Sequence, residues 1–203
     1  MNTLLNFPKV KISQSVIHEC FNHARNIKCH YDNWYTERSY RKKIAIGKIG
    51  EFGAAYILNR YLGYPLAQPD LSIYDVQHKT YDADLKYIDH PCISVKSSLF
   101  VNQYWHNDDY QNSWLLNKKE PQKYQTVLAL VHGHTYNNTV EVELFCAIEP
   151  DTILTILEQP KADCLRKDFH ALYENDIRSV LTRQVDPIRH EANKITHKPF
   201  VSV

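Results

Sequence analysis

Residues 82–98 read DADLKYIDHPCISVKSS, and this stretch decides the fold. Two short runs with strand character, 82–88 and 92–97, flank the turn-forming residues Asp-His-Pro at 89–91. The pattern predicts a β-hairpin.

The hairpin brings a small set of polar side chains together. Side chains alternate across a strand, so Ser94 and Lys96 are expected on one face and Val95 on the other, towards the core. Asp84 lies in the adjacent strand, and its carboxylate is expected to converge with Lys96 on one side of the sheet. Asp82 would share that face, but Asp84 is the stronger candidate because it lies deeper in the strand.

A long amphipathic segment precedes the hairpin. Residues 44–62, IAIGKIGEFGAAYILNRYL, repeat their apolar positions at about 3.6 residues and predict a helix that carries Glu51 near its middle. Gly63 is the expected C-terminal stop. Three residues of the helix are glycines spaced three apart: Gly47, Gly50 and Gly53. Because glycine disfavours helix, this spacing indicates that another backbone, a side chain or a ligand approaches closely.

The rest of the chain completes a mixed α/β (α+β) domain. The patterns predict a first helix over 14–30 capped by Ser13 or Ser15, strands over 124–132 and 140–148, a helix over 151–158 capped by Asp151, and helical or mixed structure over 160–183. We expect one domain with three parts: a helical and basic part over about 1–62, the hairpin and sheet over about 63–150, and a helical part over about 151–203.

Composition excludes several protein classes. With 203 residues, 43% hydrophobic and 23% charged, the chain matches a globular domain rather than a disordered chain or a coiled coil. Five cysteines, none with CxxC spacing, indicate neither a disulfide framework nor a zinc ribbon. We find no signal-peptide pattern and no apolar run long enough to span a membrane, so we expect a cytoplasmic protein.

The charges are unevenly distributed. Residues 1–60 carry 10 Lys and Arg against 4 Asp and Glu, whereas residues 61–120 carry 5 against 8. This distribution suggests a surface that faces a polyanion beside a pocket rich in carboxylates, although an ordinary scatter of solvated charge explains it equally well.

Glu51, Asp84 and Lys96 together indicate phosphodiester hydrolysis. Carboxylate oxygens are the ligands that Mg²⁺ prefers, and a bound metal polarises a phosphate and acidifies a water. A lysine beside them can orient that water and balance the charge that develops on the phosphate. We therefore expect Asp84 and Glu51 to hold Mg²⁺ and Lys96 to act on the water.

At these positions the chain resembles the PD-(D/E)xK nuclease superfamily, which includes type II restriction endonucleases, junction resolvases and repair nucleases. The family pattern is a helix acid, an Asp on one hairpin strand and an acid-x-Lys triplet on the next. Glu51, Asp84 and the triplet 94–96 match it, over roughly residues 44–98. The resemblance implies the restriction-endonuclease-like fold, a central mixed β-sheet flanked by helices.

The chain departs from the family at Ser94, where Glu or Asp is usual. Some restriction enzymes resemble this chain in having Ser-x-Lys, and they recruit a carboxylate from a later helix. Candidate replacements are Asp108, Asp109, Glu120 and Glu51 itself; Ser94 would then act at most through a water. For the position of Asp84 itself, Asp70 and Asp75 of the preceding loop are weaker candidates than Asp82.

Several residues are candidate DNA contacts, and each also has an ordinary structural explanation. The basic ones precede or lie in the glycine-rich helix, where they are expected to contact phosphates without reading sequence. The aromatic and amide-rich stretch 102–117 either reads or stacks on bases, or forms a surface loop anchored by Trp114. The candidate contacts are Arg38, Arg41, Lys42, Lys43, Lys48, Ser97 and Gln103. The His-Gly-His sequence at 132–134 is a weaker zinc motif.

The residues therefore predict a Mg²⁺-dependent endodeoxyribonuclease that cuts double-stranded DNA, most simply a type II restriction endonuclease. Because duplex DNA has local twofold symmetry, we expect a homodimer. Two alternatives remain open: a structure-selective repair, junction or phage-type nuclease of the same fold, and a DNA-binding module whose site has decayed at Ser94.

Overall fold

The protein has a mixed α/β architecture, as predicted, with helices and strands arranged about one central mixed sheet. The computed structural model describes residues 3–27, 37–63, 69, 71, 84–87, 90–100, 113–117, 123–133, 139–157 and 169–181. Within these ranges, no helix combines the length and the apolar character that a membrane crossing requires.

Eight strands and four helices occur in the described ranges. The strands are β1 (Thr3–Leu4), β2 (Val10–Ile12), β3 (Leu85–Tyr87), β4 (His90–Leu99), β5 (Ser113–Asn117), β6 (Gln125–His132), β7 (Val140–Ile148) and β8 (Phe169–Tyr173). The helices are α1 (Gln14–Asn26), α2 (Glu37–Leu62), α3 (Pro150–Leu157) and α4 (174–181).

Six strands form the central sheet in the order β1–β7–β6–β4–β3, and β2 also pairs with β7. Strands β4 and β6 are parallel, and the other pairs are antiparallel. The hairpin of β3 and β4 is therefore present and forms one edge of the described sheet. A second, two-stranded sheet joins β5 to β8.

Two hydrophobic clusters cover the two faces of the central sheet. The first packs α1 and α2 against one face, with Ile49 and Ile57 among its fully buried residues. The second packs β5, β8, α3 and α4 against the other face around Trp114, whose indole N–H donates to the Ala129 carbonyl at 2.9 Å. The sheet is thus enclosed between two layers, and its β3 edge is where the predicted site residues lie.

The local sequence signals explain the main elements. Ser13 caps α1 by accepting from the Val16 amide at 3.4 Å, and α2 ends before Gly63, which has a φ of 67°. Strand β7 alternates buried and half-buried residues before its fully buried end. These features confirm the predicted helices and the strand over 140–148.

Some boundaries differ from the sequence predictions. Helix α2 begins at Glu37, seven residues before the predicted start, so the basic residues near 41–43 belong to it. The prediction that Asp151 caps α3 is wrong. The helix begins at Pro150, which suits the first helical position, and the Glu149 carbonyl accepts the first helical bonds from Thr152 and Ile153.

Candidate active site

Asp84 immediately precedes β3, so the prediction that it lies deep in a strand is wrong; hydrogen bonds fix it against strand β4. Its Oδ2 accepts from the Val95 amide at 2.6 Å and from the Ser94 hydroxyl at 3.2 Å. The pairing register shifts between Leu85 and Lys86, immediately after it. The Asp84 carboxylate thus accepts the Val95 N–H bond that a backbone carbonyl of a paired strand would otherwise accept. This bond holds Asp84 in a defined position.

The predicted alternation along β4 is present. Val95 is buried in the cluster that contains α1 and α2, and Ser94 is buried beside Asp84. Lys96, two residues beyond Ser94, is half-buried on the face opposite Val95. Ser94 and Lys96 therefore share a face.

Glu51 is a buried carboxylate on α2, with 7% of its surface exposed. Burial and then the charge of Asp84 raise the pKa of Glu51 to about 7, whereas the charges of Lys48 and Lys96 act in the opposite direction. The charges of two hairpin residues, Asp84 and Lys96, therefore both act on the helix acid.

Close packing of α2 on the sheet carries Glu51 to the hairpin. A Cβ at Gly50 would overlap the Ser97 side chain, and one at Gly53 would lie 2.5 Å from Val142. The Ser97 hydroxyl also donates to the Gly47 carbonyl at 3.4 Å. Two of the three glycines thus permit the close approach that their spacing predicted.

Ser97 therefore differs from the other hairpin candidates. Its side chain contacts α2 and belongs to the same face as Val95, away from Ser94 and Lys96. Its position explains a helix–sheet contact, on the face of β4 opposite Lys96.

The predicted basic contacts lie along the first half of α2. Arg38, Lys42 and Lys43 are exposed, whereas Arg41 is half-buried. Lys48 is also half-buried, and its Nζ lies 2.8 Å from Glu51 Oε2. The sequence predicted Lys48 only as a DNA contact. Its i,i+3 spacing from Glu51 is the sequence signal from which the ion pair could have been predicted.

Cys20 is a second residue that sequence reasoning did not connect with the site. Burial, followed by the charge of Glu51, raises the pKa of its thiol to about 12. The thiol is thus neutral and packs in the core near the carboxylate. No sequence signal pointed to this proximity, because the residue lies on α1 and the contact depends on how α1 and α2 pack.

Several candidates lie outside the described residues. They comprise the acids that compete with Asp84, the acids other than Glu51 that were considered as replacements at position 94, and the amide candidate. They are Asp70, Asp75, Asp82, Asp108, Asp109, Glu120 and Gln103. Within the described residues, no group of three or more His, Cys, Asp or Glu is placed to hold a metal ion.

His132, the first histidine of the His-Gly-His motif, belongs to a charged network. Its Nε2 lies 2.8 Å from Glu143 Oε2, and Lys9 Nζ lies 3.4 Å from its Nδ1. Burial and the charge of Lys9 lower the pKa of His132. Because both ring nitrogens have partners and a lysine stands beside them, this arrangement favours a structural role over zinc binding. His134 lies outside the described residues.

No family model, curated protein or solved structure matches this chain. Function is therefore inferred from its residues and their geometry.

Proposed function

We propose that this protein is a Mg²⁺-dependent endodeoxyribonuclease of the restriction-endonuclease-like fold that hydrolyses double-stranded DNA. One arrangement carries the proposal: Glu51 is a buried carboxylate on the helix that packs on the sheet, and Asp84 is hydrogen-bonded to the hairpin strand that carries Lys96. The charges of Asp84 and Lys96 both act on Glu51. Perturbed carboxylates placed beside a lysine are typical of catalytic sites.

The donor set fits a hard divalent cation. Mg²⁺ is commonly held by one or two carboxylates together with substrate phosphates. Glu51 and Asp84 would hold it, and Asp109 is the candidate third ligand. Asp84 uses Oδ2 for both of its hydrogen bonds, which leaves Oδ1 without a hydrogen-bond partner among the described residues. When bound, the metal would polarise the phosphate and lower the pKa of a coordinated water.

The protein's own residues would orient the reactants. Lys96 would donate from Nζ to the attacking water and to the phosphate oxygens, where negative charge accumulates. Ser94 would orient Asp84, because its hydroxyl already donates to that carboxylate. The hydrogen bond from the Val95 amide holds the same oxygen of Asp84. Because its donor is a backbone group, this bond does not depend on the side chain at position 95.

The basic part of α2 supplies a surface for the substrate. Arg38, Lys42 and Lys43 are exposed on the helix that carries Glu51, so phosphates could bind along the element that positions this carboxylate. A nuclease that cuts both strands would act as a homodimer, because the two scissile phosphates of a duplex are related by local twofold symmetry.

A second candidate is a DNA-binding module without catalysis. It is favoured by Ser94, which stands where the family has an acid and is engaged with Asp84. Only Glu51 and Asp84 supply carboxylates to this site among the described residues. Such a protein would bind duplex DNA through the same basic helix and show no Mg²⁺-dependent turnover.

The test is cleavage of long duplex DNA with and without Mg²⁺. Wild type is compared with Lys96→Ala and with Lys86→Ala, a matched control that removes an exposed lysine from the same hairpin. We expect Mg²⁺-dependent cleavage by wild type and the control, and a loss of at least about 100-fold in Lys96→Ala, the usual scale of a removed acid–base or electrostatic group.

The products distinguish the remaining readings. Discrete fragments indicate a sequence-specific enzyme, and a smear indicates non-specific degradation. If linear duplex is left intact, branched substrates test for a structure-selective nuclease. Cleavage that survives in Lys96→Ala contradicts the assignment of the hairpin, and DNA binding without cleavage of any substrate supports the binding module.

A further inference from the structure

Lys48 forms a close charged contact with Glu51 in the candidate site. Its Nζ lies 2.8 Å from Glu51 Oε2, and the two side chains are only 21% and 10% exposed. Exposed i,i+3 pairs contribute little, because water screens both charges. Here both groups are largely removed from water, so each needs the other as a counter-charge.

Glu51 also has a negatively charged neighbour, so the position of the Lys48 ammonium group indicates where positive charge is needed. The charge of Asp84 acts on Glu51, so the two carboxylates together require positive charge. Lys48 supplies that charge at contact distance. A divalent cation bound between the carboxylates would need the same Glu51 oxygens.

We propose that Lys48 is an internal counter-ion that occupies the cation position at Glu51 and is displaced when a divalent metal binds. This inference rests on the proposed function, since it takes Glu51 and Asp84 as the metal ligands. Lys48 is thus a positioning residue that acts through Glu51. Metal binding would also release a positive charge beside the basic surface of α2, where a DNA phosphate would arrive.

The first test measures Mg²⁺ affinity by isothermal titration calorimetry at pH 8 without DNA. Lys48→Met removes the competing ammonium. Lys42→Met removes the same charge from an exposed position on the same helix, six residues before Lys48 and nine residues before Glu51. Nine residues span about 14 Å of helix. That separation exceeds the screening length of about 10 Å at 0.1 M salt. Glu51→Gln removes the shared ligand.

We expect Lys48→Met to bind Mg²⁺ at least about tenfold more tightly than wild type, because the metal no longer displaces a partner in contact with its ligand. Lys42→Met should stay within about twofold of wild type, because its charge is screened. Glu51→Gln should lose most of the binding.

Each other outcome has a distinct meaning. Unchanged or weaker binding in Lys48→Met, with binding lost in Glu51→Gln, overturns the counter-ion role and leaves the metal site intact. Equal tightening in both lysine variants also overturns it, because only the long-range field would then matter. If no form of the protein binds Mg²⁺, the metal site and the proposed function fail together.

A second test uses the wild-type protein and so does not depend on a variant that folds. Lysine reactivity is measured by reductive methylation and mass spectrometry, in EDTA and in saturating Mg²⁺. Lys48 should become several-fold more reactive in Mg²⁺, because the metal breaks its ion pair, while the exposed Lys42 serves as the unchanged reference. Equal reactivity of Lys48 in both conditions, with calorimetry showing bound metal, overturns the inference.

Discussion

Glu51 places a carboxylate inside the protein, and ionising that carboxylate costs stability. Its pKa rises from an ordinary value of 4.5 to about 7 on folding, chiefly because of burial. Between these values the folded state binds more protons than the unfolded state, so the free energy of unfolding decreases as pH rises through this window. The loss amounts to about 3 kcal/mol once Glu51 is ionised in both states.

Glu51→Gln should therefore stabilise the protein at high pH in the absence of divalent cations. We expect the variant to gain up to about 3 kcal/mol over wild type at pH 8, and little at pH 4.5, where Glu51 is protonated in the folded state. Urea denaturation in EDTA at both pH values measures this. Glu19→Gln, an exposed acid on α1, is the control and should show no comparable gain. A variant that is less stable than wild type at pH 8 would show that the ion pair with Lys48 outweighs the burial.

Single residues also explain what the sequence could reveal about the site. The order of acid, acid and lysine, with strand alternation, was enough to predict that Ser94 lies beside Asp84; that these residues form one site with Glu51 and Lys96 stays a prediction. The bond from Ser94 to Asp84 was not predictable, because it depends on the exact pairing of two strands. The choice of a further carboxylate also stays a prediction, because Asp109 lies outside the described residues.

Helix α2 shows how an element can be built for close approach at a cost in intrinsic stability. Gly53 faces Val142 of the central strand β7, so a methyl group there has no room. No described atom lies within 4 Å of a Cβ placed at Gly47. Packing against the described residues therefore does not require a glycine at position 47. The two positions provide a matched pair on one helix.

We expect Gly47→Ala and Gly53→Ala to have opposite effects. Gly47→Ala should raise the free energy of unfolding by about 1 kcal/mol, through the higher helix propensity of alanine. Gly53→Ala should lower it by about 1–3 kcal/mol, because the new methyl group overpacks the interface with β7. Chemical denaturation of the two variants measures both. A destabilised Gly47→Ala would indicate that something outside the described residues occupies the space beside it.

The elements that sequence reasoning identified are those with local signals. Helix α2 and strands β6 and β7 have long, regular apolar patterns, whereas β1 has only two residues. Strand β5 was interpreted as part of a loop, although Trp114 was correctly considered as a core anchor. Its partner β8 lies more than 50 residues later, so this pairing carries no local signal.

At the scale of the whole molecule, the candidate site lies at one edge of the described central sheet. Strand β3 is the edge of the described central sheet, and the layers that cover the two faces leave the hairpin at one side. Helix α2 carries both the basic residues of its first half and Glu51. Duplex DNA bound along that helix would exchange its condensed counterions for protein charges, which makes affinity depend steeply on salt.

This arrangement predicts a change in the salt dependence of DNA binding when basic residues are removed from α2. The double variant Lys42→Ala/Lys43→Ala should weaken binding to all duplexes alike. If both lysines contact phosphates, the slope of log affinity against log salt should fall by about 2, one unit for each lost contact. Binding is measured by fluorescence anisotropy across a salt series, with Ca²⁺ in place of Mg²⁺ to prevent cleavage. Lys11→Ala, an exposed lysine on β2, is the control and should keep the wild-type slope. A slope that is unchanged in the double variant would place the DNA on another surface, and the catalytic assignment of Lys96 would then have to be tested apart from any role of α2 in binding.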